Sequence, residues 1–136
     1  MSPSQQQALK AYGAVGAHSQ VVNADPLKLV QLLYGNMIER LAAIRGNIER
    51  GEVAQKCEHV DKISQILGEL NGSLDLEKGG DLAKNLRGLY EYMMLRLVLA
   101  HASNDLAAFE EIATHLRKLK SGWDTIAAGP RVAVGQ

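Results

Sequence analysis

Apolar residues recur at steps of three and four along most of this chain. From Asp25-Pro26 onward, Val30, Tyr34, Met37, Leu41, Ile44 and Ile48 alternate steps of four and three, the stripe of one helix face. Asp25 can accept a backbone N–H as N-cap, Pro26 needs no N–H at the first helical position, and Gly51 is a stop, which predicts a helix over about 26–50. A second run, from about Glu52 to Leu74, carries Val53, Cys57, Val60, Ile63, Leu67, Leu70 and Leu74 on one broad face and ends near Asn71-Gly72-Ser73. Asp81 is the expected cap of a third helix, with Leu82, Leu86, Leu89, Met93, Leu97 and Ala100 in register and a break at Asn104-Asp105. The fourth stripe is Phe109, Ile112, Leu116, Leu119, Trp123 and Ile126, closed by Gly129-Pro130.

Short connections force each of these helices to run antiparallel to its chain neighbour. The expected fold is all-α, an antiparallel up-down-up-down four-helix bundle over residues 25–127. Residues 1–24 form an expected mobile N-terminal cap, with a short helical segment around Gln5 to Tyr12. Residues 128–136 have no amphipathic pattern and form an expected disordered tail.

Composition narrows the function. A chain of 136 residues fits one domain, and apolar residues make up 46% of it against 4% aromatic, a mix that suits helix packing better than aromatic strands. Fifteen basic and fifteen acidic side chains cancel, so no global field draws the chain to nucleic acid or to anionic lipid. Cys57, the single cysteine, cannot close an internal disulfide, which fits a reducing compartment. The first twenty residues have no apolar run preceded by positive charge, and no uncharged stretch is long enough to span a bilayer, so a cytoplasmic location without membrane insertion is expected.

Two helices carry more apolar surface than a bundle core needs. The core-facing arc of a helix is only somewhat wider than about 100°. In the first bundle helix Leu27 and Ile38 flank one side of that arc, Leu29 and Leu33 flank the other, and Leu32 falls nearly opposite it. The third bears a second stripe, Tyr92, Leu95 and Leu99, turned away from Met93. A single exposed leucine means little. Surplus on two helices points to a groove for a partner.

Taken together, Tyr12, the run VVNADPLKLVQLLYGNMI (Val21 to Ile38), the run ILGELNGSLDLEKGGDLAKNLRGLYEYM (Ile66 to Met93) and Trp123 resemble the flagellar secretion chaperones called FliS, from Tyr12 to about Ile126. The resemblance implies a helical bundle without enzymatic activity that grips the disordered C-terminal segment of flagellin and prevents its polymerisation. In that family an N-terminal segment folds over part of the bundle and is associated with the flagellin-binding surface, which implicates Leu9 and Tyr12. The candidate partner-binding residues are therefore Leu9, Tyr12, Leu29, Leu32, Leu33, Tyr92, Leu95 and Leu99. The flagellar export machinery is a further implied partner. The rival reading is a helical adaptor that binds a folded protein or a second copy of itself through the apolar grooves.

Catalytic and metal chemistry finds little support. His59 and Lys62 have the spacing of a phosphotransfer histidine, but Ile63 stands where such domains favour glycine. Glu111 and His115 are four apart, where a bundle di-metal centre uses three, and the inward positions of that helix are apolar. Gly79-Gly80 reads as a turn, and Arg117, Lys118 and Lys120 as complements to the negative end of their helix. No catalytic residue, cofactor or metal is expected.

Overall fold

The computed structural model describes residues 3–18 and 25–129, and all its regular structure is α-helical: α1 (Pro3–His18), α2 (Pro26–Arg50), α3 (Val53–Gly72), α4 (Gly80–Ser103) and α5 (Leu106–Ala128). Of the expected cap, residues 1–2 and 19–24 lie outside the described residues, as do 130–136 of the expected tail.

The helix ends follow local chemistry. The Asp25 carboxylate accepts the Lys28 N–H at 3.2 Å, and Gly51 closes α2 in the left-handed region at φ 68°, where glycine has no Cβ to clash. Asn104, at φ 52°, ends α4, and the next residue, Asp105, caps α5 by accepting the Ala108 N–H at 3.1 Å. The start of α4 differs from the sequence expectation. Asp81 lies in the first turn, and the N-cap is Gly79, which has no side chain to cap with. Asp75 winds the preceding loop instead, its carboxylate accepting from Glu77 N at 3.1 Å and Lys78 N at 2.9 Å. A Cβ on Gly79 would lie 2.6 Å from the Asp75 carbonyl oxygen and 3.1 Å from the Ala11 Cα, so only glycine lets α1 come this close.

α2 packs on α3 and α5, and α4 packs on the same two, so the four long helices form a ring with α2 and α4 at diagonal corners. α1 crosses one end of the ring and touches α2, α4 and α5. It is anchored by Ala8, Ala11 and Tyr12, all fully buried, and by the Asp75 N–H donating to the Ala11 carbonyl at 3.0 Å. Its helix is longer than the sequence suggests and leaves helical geometry at Tyr12 (φ −127°, ψ 16°), the residue whose ring enters the core.

Most core positions agree with the periodicity, and the clearest departures lie in α3 and α4. Val53 is 68% exposed, while Lys56 is buried with its ammonium on the His101 carbonyl (2.9 Å) and the Asn104 side chain. This places Lys56 level with the last turn of α4, so Val53 lies a turn beyond the last core layer. The lysine stem covers apolar surface there while its charge meets the negative helix end. In α4 the core runs Ala83, Leu86, Tyr90, Met93, Leu97 and Ala100, and Leu82 and Leu89 are only half-buried at its edge.

Candidate functional site

The end of the bundle covered by α1 is built around three tyrosines. The Tyr12 hydroxyl donates to the Tyr90 hydroxyl at 2.5 Å, the Tyr34 and Tyr90 hydroxyls are 2.6 Å apart, and all three side chains are fully buried. Trp123 meets the Tyr12 ring edge-on, with centroids 5.5 Å apart and planes at 64°. α1, α2, α4 and α5 each supply one ring to this cluster. The hydroxyls satisfy one another where water cannot reach, which is the condition for burying them at all.

Burial pushes the ionisation of all three phenols far above its ordinary range. A neighbouring hydroxyl adds to the effect: Tyr34 for Tyr12, Tyr90 for Tyr34 and Tyr12 for Tyr90. Because these values are raised above the unfolded value of 10.0, the folded state keeps protons that the unfolded state releases at high pH. The stability this cluster confers is complete below pH 10 and declines as pH rises beyond it. Alkaline titration followed by tyrosinate absorbance should show Tyr12, Tyr34 and Tyr90 ionising in the step that loses the helical circular dichroism. Ionisation of all four tyrosines while the helices persist would contradict the closed cluster.

The second region is the outer face of α4. Tyr92 is 42% exposed, Leu95 59% and Leu99 51%, as the second stripe requires, and Val98 at 64% extends it. Met93 and Leu97, on the opposite face, are fully buried and hold the helix in place. Tyr92 is fixed at the border with α5: its hydroxyl donates to Glu111 Oε2 at 2.5 Å, while Arg96 Nε and Nη2 both reach Glu111 Oε1 at 2.9 Å. His115 lies 3.5 Å from the same carboxylate and edge-on to the Tyr92 ring at 6.1 Å. The bond from Tyr92, followed by Arg96 and His115, holds the Glu111 carboxyl below its usual range against the opposing effect of desolvation. That bond also raises Tyr92 ionisation.

The α2 candidates are divided. Leu32 is 56% exposed, whereas Leu29 and Leu33 are half-buried against the core. Since α2 and α4 are diagonal, Leu32 and the α4 stripe look to opposite sides of the bundle. Leu9 and Tyr12 belong to neither face: Leu9 lines a shallow pocket with Leu27 and Ala127, and Tyr12 is inside the core. One concavity escaped the sequence reading, a groove of about 240 Å³ between α2 and α5 floored by Ile38, Leu41, Phe109 and Ala113 and rimmed by Arg45, Glu110 and Arg117. Its signal was the small residues Ala42 and Ala113 on helices that face each other.

Elsewhere the polar residues serve structure. His59 Nδ1 is 3.1 Å from Arg40 Nη1, joining α3 to α2. Arg117 pairs with Glu110 at 2.6 Å and Lys120 with Asp124 at 3.0 Å. Among the described residues no three His, Cys, Asp or Glu side chains are placed to hold a metal ion, and no helix is long and apolar enough to cross a membrane.

Comparison with known proteins gives a consistent result. Residues 8–130 match the family model described as flagellar protein FliS. The chain is 45% identical over 119 residues to the flagellar secretion chaperone FliSB of Pseudomonas aeruginosa, an alignment covering 88% of this chain and 94% of that one. It is 36% identical to the flagellar secretion chaperone FliS of Vibrio cholerae, with 87% of each chain covered. To the protein of the same name in Salmonella typhimurium it is 37% identical, with 87% of this chain and 88% of that one covered.

Proposed function

The chain belongs to the flagellar protein FliS family and is a flagellar secretion chaperone, and we propose that its client is the disordered C-terminal segment of flagellin, held in the cytoplasm so that it cannot polymerise before export. The observation that carries this reading is the exposed row Tyr92, Leu95, Val98 and Leu99 on a helix whose other face is locked into the core. Rigid apolar surface of this kind suits a segment that folds as it binds, because the ordering entropy falls on the client alone.

Leu32 on the far corner and the α2/α5 groove extend the contact around the bundle, so an extended client has reason to wrap rather than to dock at one spot. α1 fits the part of a cover. Its Tyr12 fills the end of the bundle, and a client that needs the surface beneath must displace it. Capture of this kind calls for no nucleotide and no catalytic step.

A peptide copying the last few tens of residues of flagellin should form a one-to-one complex with the full chain, seen by calorimetry and by light scattering on the eluted peak. The peptide's helical signal should increase on binding. No complex at micromolar concentrations would remove flagellin's C-terminal segment as the client.

A further inference from the structure

In the exposed row on α4 only Tyr92 carries a polar side-chain atom, and that atom is tied to another helix. An exposed phenol can reach water from several rotamers, so exposure alone leaves the ring free to turn. Here the hydroxyl donates to Glu111 Oε2 at 2.5 Å, and the ring stands edge-on to His115, with centroids 6.1 Å apart and planes at 86°. Both contacts come from α5, which therefore holds the tip and the side of the ring.

Glu111 is itself fully engaged. Its Oε1 accepts from Arg96 Nε and Nη2, both at 2.9 Å, and its Oε2 lies 3.5 Å from His115 Nε2, four residues along α5. Arg96 is one turn from Tyr92 on α4, so the guanidinium and the phenol reach the carboxylate from the same side. With its oxygens occupied in this way, the carboxylate is no ready ionic contact for a client. What the cluster presents beside Leu95 is an aromatic ring of fixed orientation.

We propose that Glu111 is a positioning residue for client capture, acting by holding Tyr92 as a rigid wall at one end of the row Tyr92, Leu95, Val98 and Leu99. The proposal rests on the reading above that a client covers this row. Aromatic side chains carry much of the energy of such contacts, and one already ordered in the free chain loses little rotamer freedom on binding. Releasing the ring should therefore raise the dissociation constant roughly 2- to 10-fold.

The test titrates the flagellin C-terminal peptide into the full chain and into Glu111→Ala, Glu111→Gln, Tyr92→Phe and the double variant Tyr92→Phe with Glu111→Ala, with Leu95→Ala as the reference for the row itself. Glu111→Ala should weaken binding roughly 2- to 10-fold at a nearly unchanged urea midpoint. Glu111→Gln keeps an oxygen that accepts from the phenol, so its affinity should lie closer to that of the parent. Tyr92→Phe should weaken binding about as much as Glu111→Ala, and the double variant no more than either, because both changes release the same ring. A readout without client is the ionisation of Tyr92, which the bond to Glu111 raises and which should fall in Glu111→Ala, followed by the NMR signal of the Tyr92 Cζ. A folded Glu111→Ala that binds like the parent, effects that multiply in the double variant, or an unmoved Tyr92 titration overturns the proposal. If Leu95→Ala weakens binding and Glu111→Ala does not, the client reading stands and only the proposal falls. A peptide that does not bind the parent, or that binds every variant alike, removes both.

Discussion

Trp123→Ala should lower the unfolding free energy by about 3 to 5 kcal/mol, the usual range for truncating a buried aromatic to alanine. Trp123 is 4% exposed and packs edge-on against Tyr12, so its loss leaves a cavity where α1, α2, α4 and α5 meet. Against a typical domain stability of about 5 to 15 kcal/mol, that loss is a large fraction of the whole. It should also loosen α1, because Tyr12 would keep its hydroxyl bond to Tyr90 but lose its ring contact. Urea denaturation of the variant and the parent measures the first effect. Amide exchange across residues 3–12, faster in the variant than in α3, measures the second. A loss under about 1 kcal/mol would show that Trp123 is not the wedge described here.

Periodicity carried the sequence reading a long way, and where it stopped is physically clear. α2 and α5 were legible almost residue by residue because their core rows are apolar except for Asn47 near the end of α2, and their ends carry Asp25, Gly51, Asp105 and Gly129. In α4 two phases compete. Leu86, Met93, Leu97 and Ala100 fit both, and the choice between Leu82 with Leu89 and Ala83 with Tyr90 decides which way the helix faces. Hydrophobicity favours the leucines. The structure buries Tyr90 because Tyr12 and Tyr34 bring hydroxyls to meet its own, and no window of local sequence contains partners that are 78 and 56 residues away. Val53 was misplaced for a related reason: its phase was right, but where α3 outruns α4 depends on packing between helices.

The candidate surface was legible where it depended on one helix and illegible where it depended on two. The exposure of Tyr92, Leu95 and Leu99 follows from α4 alone. The bonds that fix Tyr92 to Glu111, and the groove between Ile38 and Phe109, need α5 set beside its neighbours. Tyr12 could be read as an anchor from its position in a short amphipathic segment, though not as part of the core.

Leu95→Ala should leave the fold intact and weaken flagellin binding, and the reasoning rests on what each side chain loses. Leu95 is 59% exposed in the free chain, so truncation removes little buried surface and stability should change by no more than about 0.5 kcal/mol. If the client covers this position, the same truncation removes contact present only in the complex. An interface leucine near the centre of such a patch typically contributes about 1 to 2 kcal/mol, or roughly a 5- to 30-fold rise in the dissociation constant. The control is Leu97→Ala. Two residues along and 1% exposed, Leu97 lies in the core, and its truncation should cost about 2 to 5 kcal/mol with or without client. Leu89 would be a poorer control because it is only half-buried. Titrating a flagellin C-terminal peptide into each variant, beside urea denaturation of the same variants without peptide, separates the two losses. Should Leu95→Ala bind the peptide as tightly as the parent chain while remaining folded, the outer face of α4 is not where the client sits.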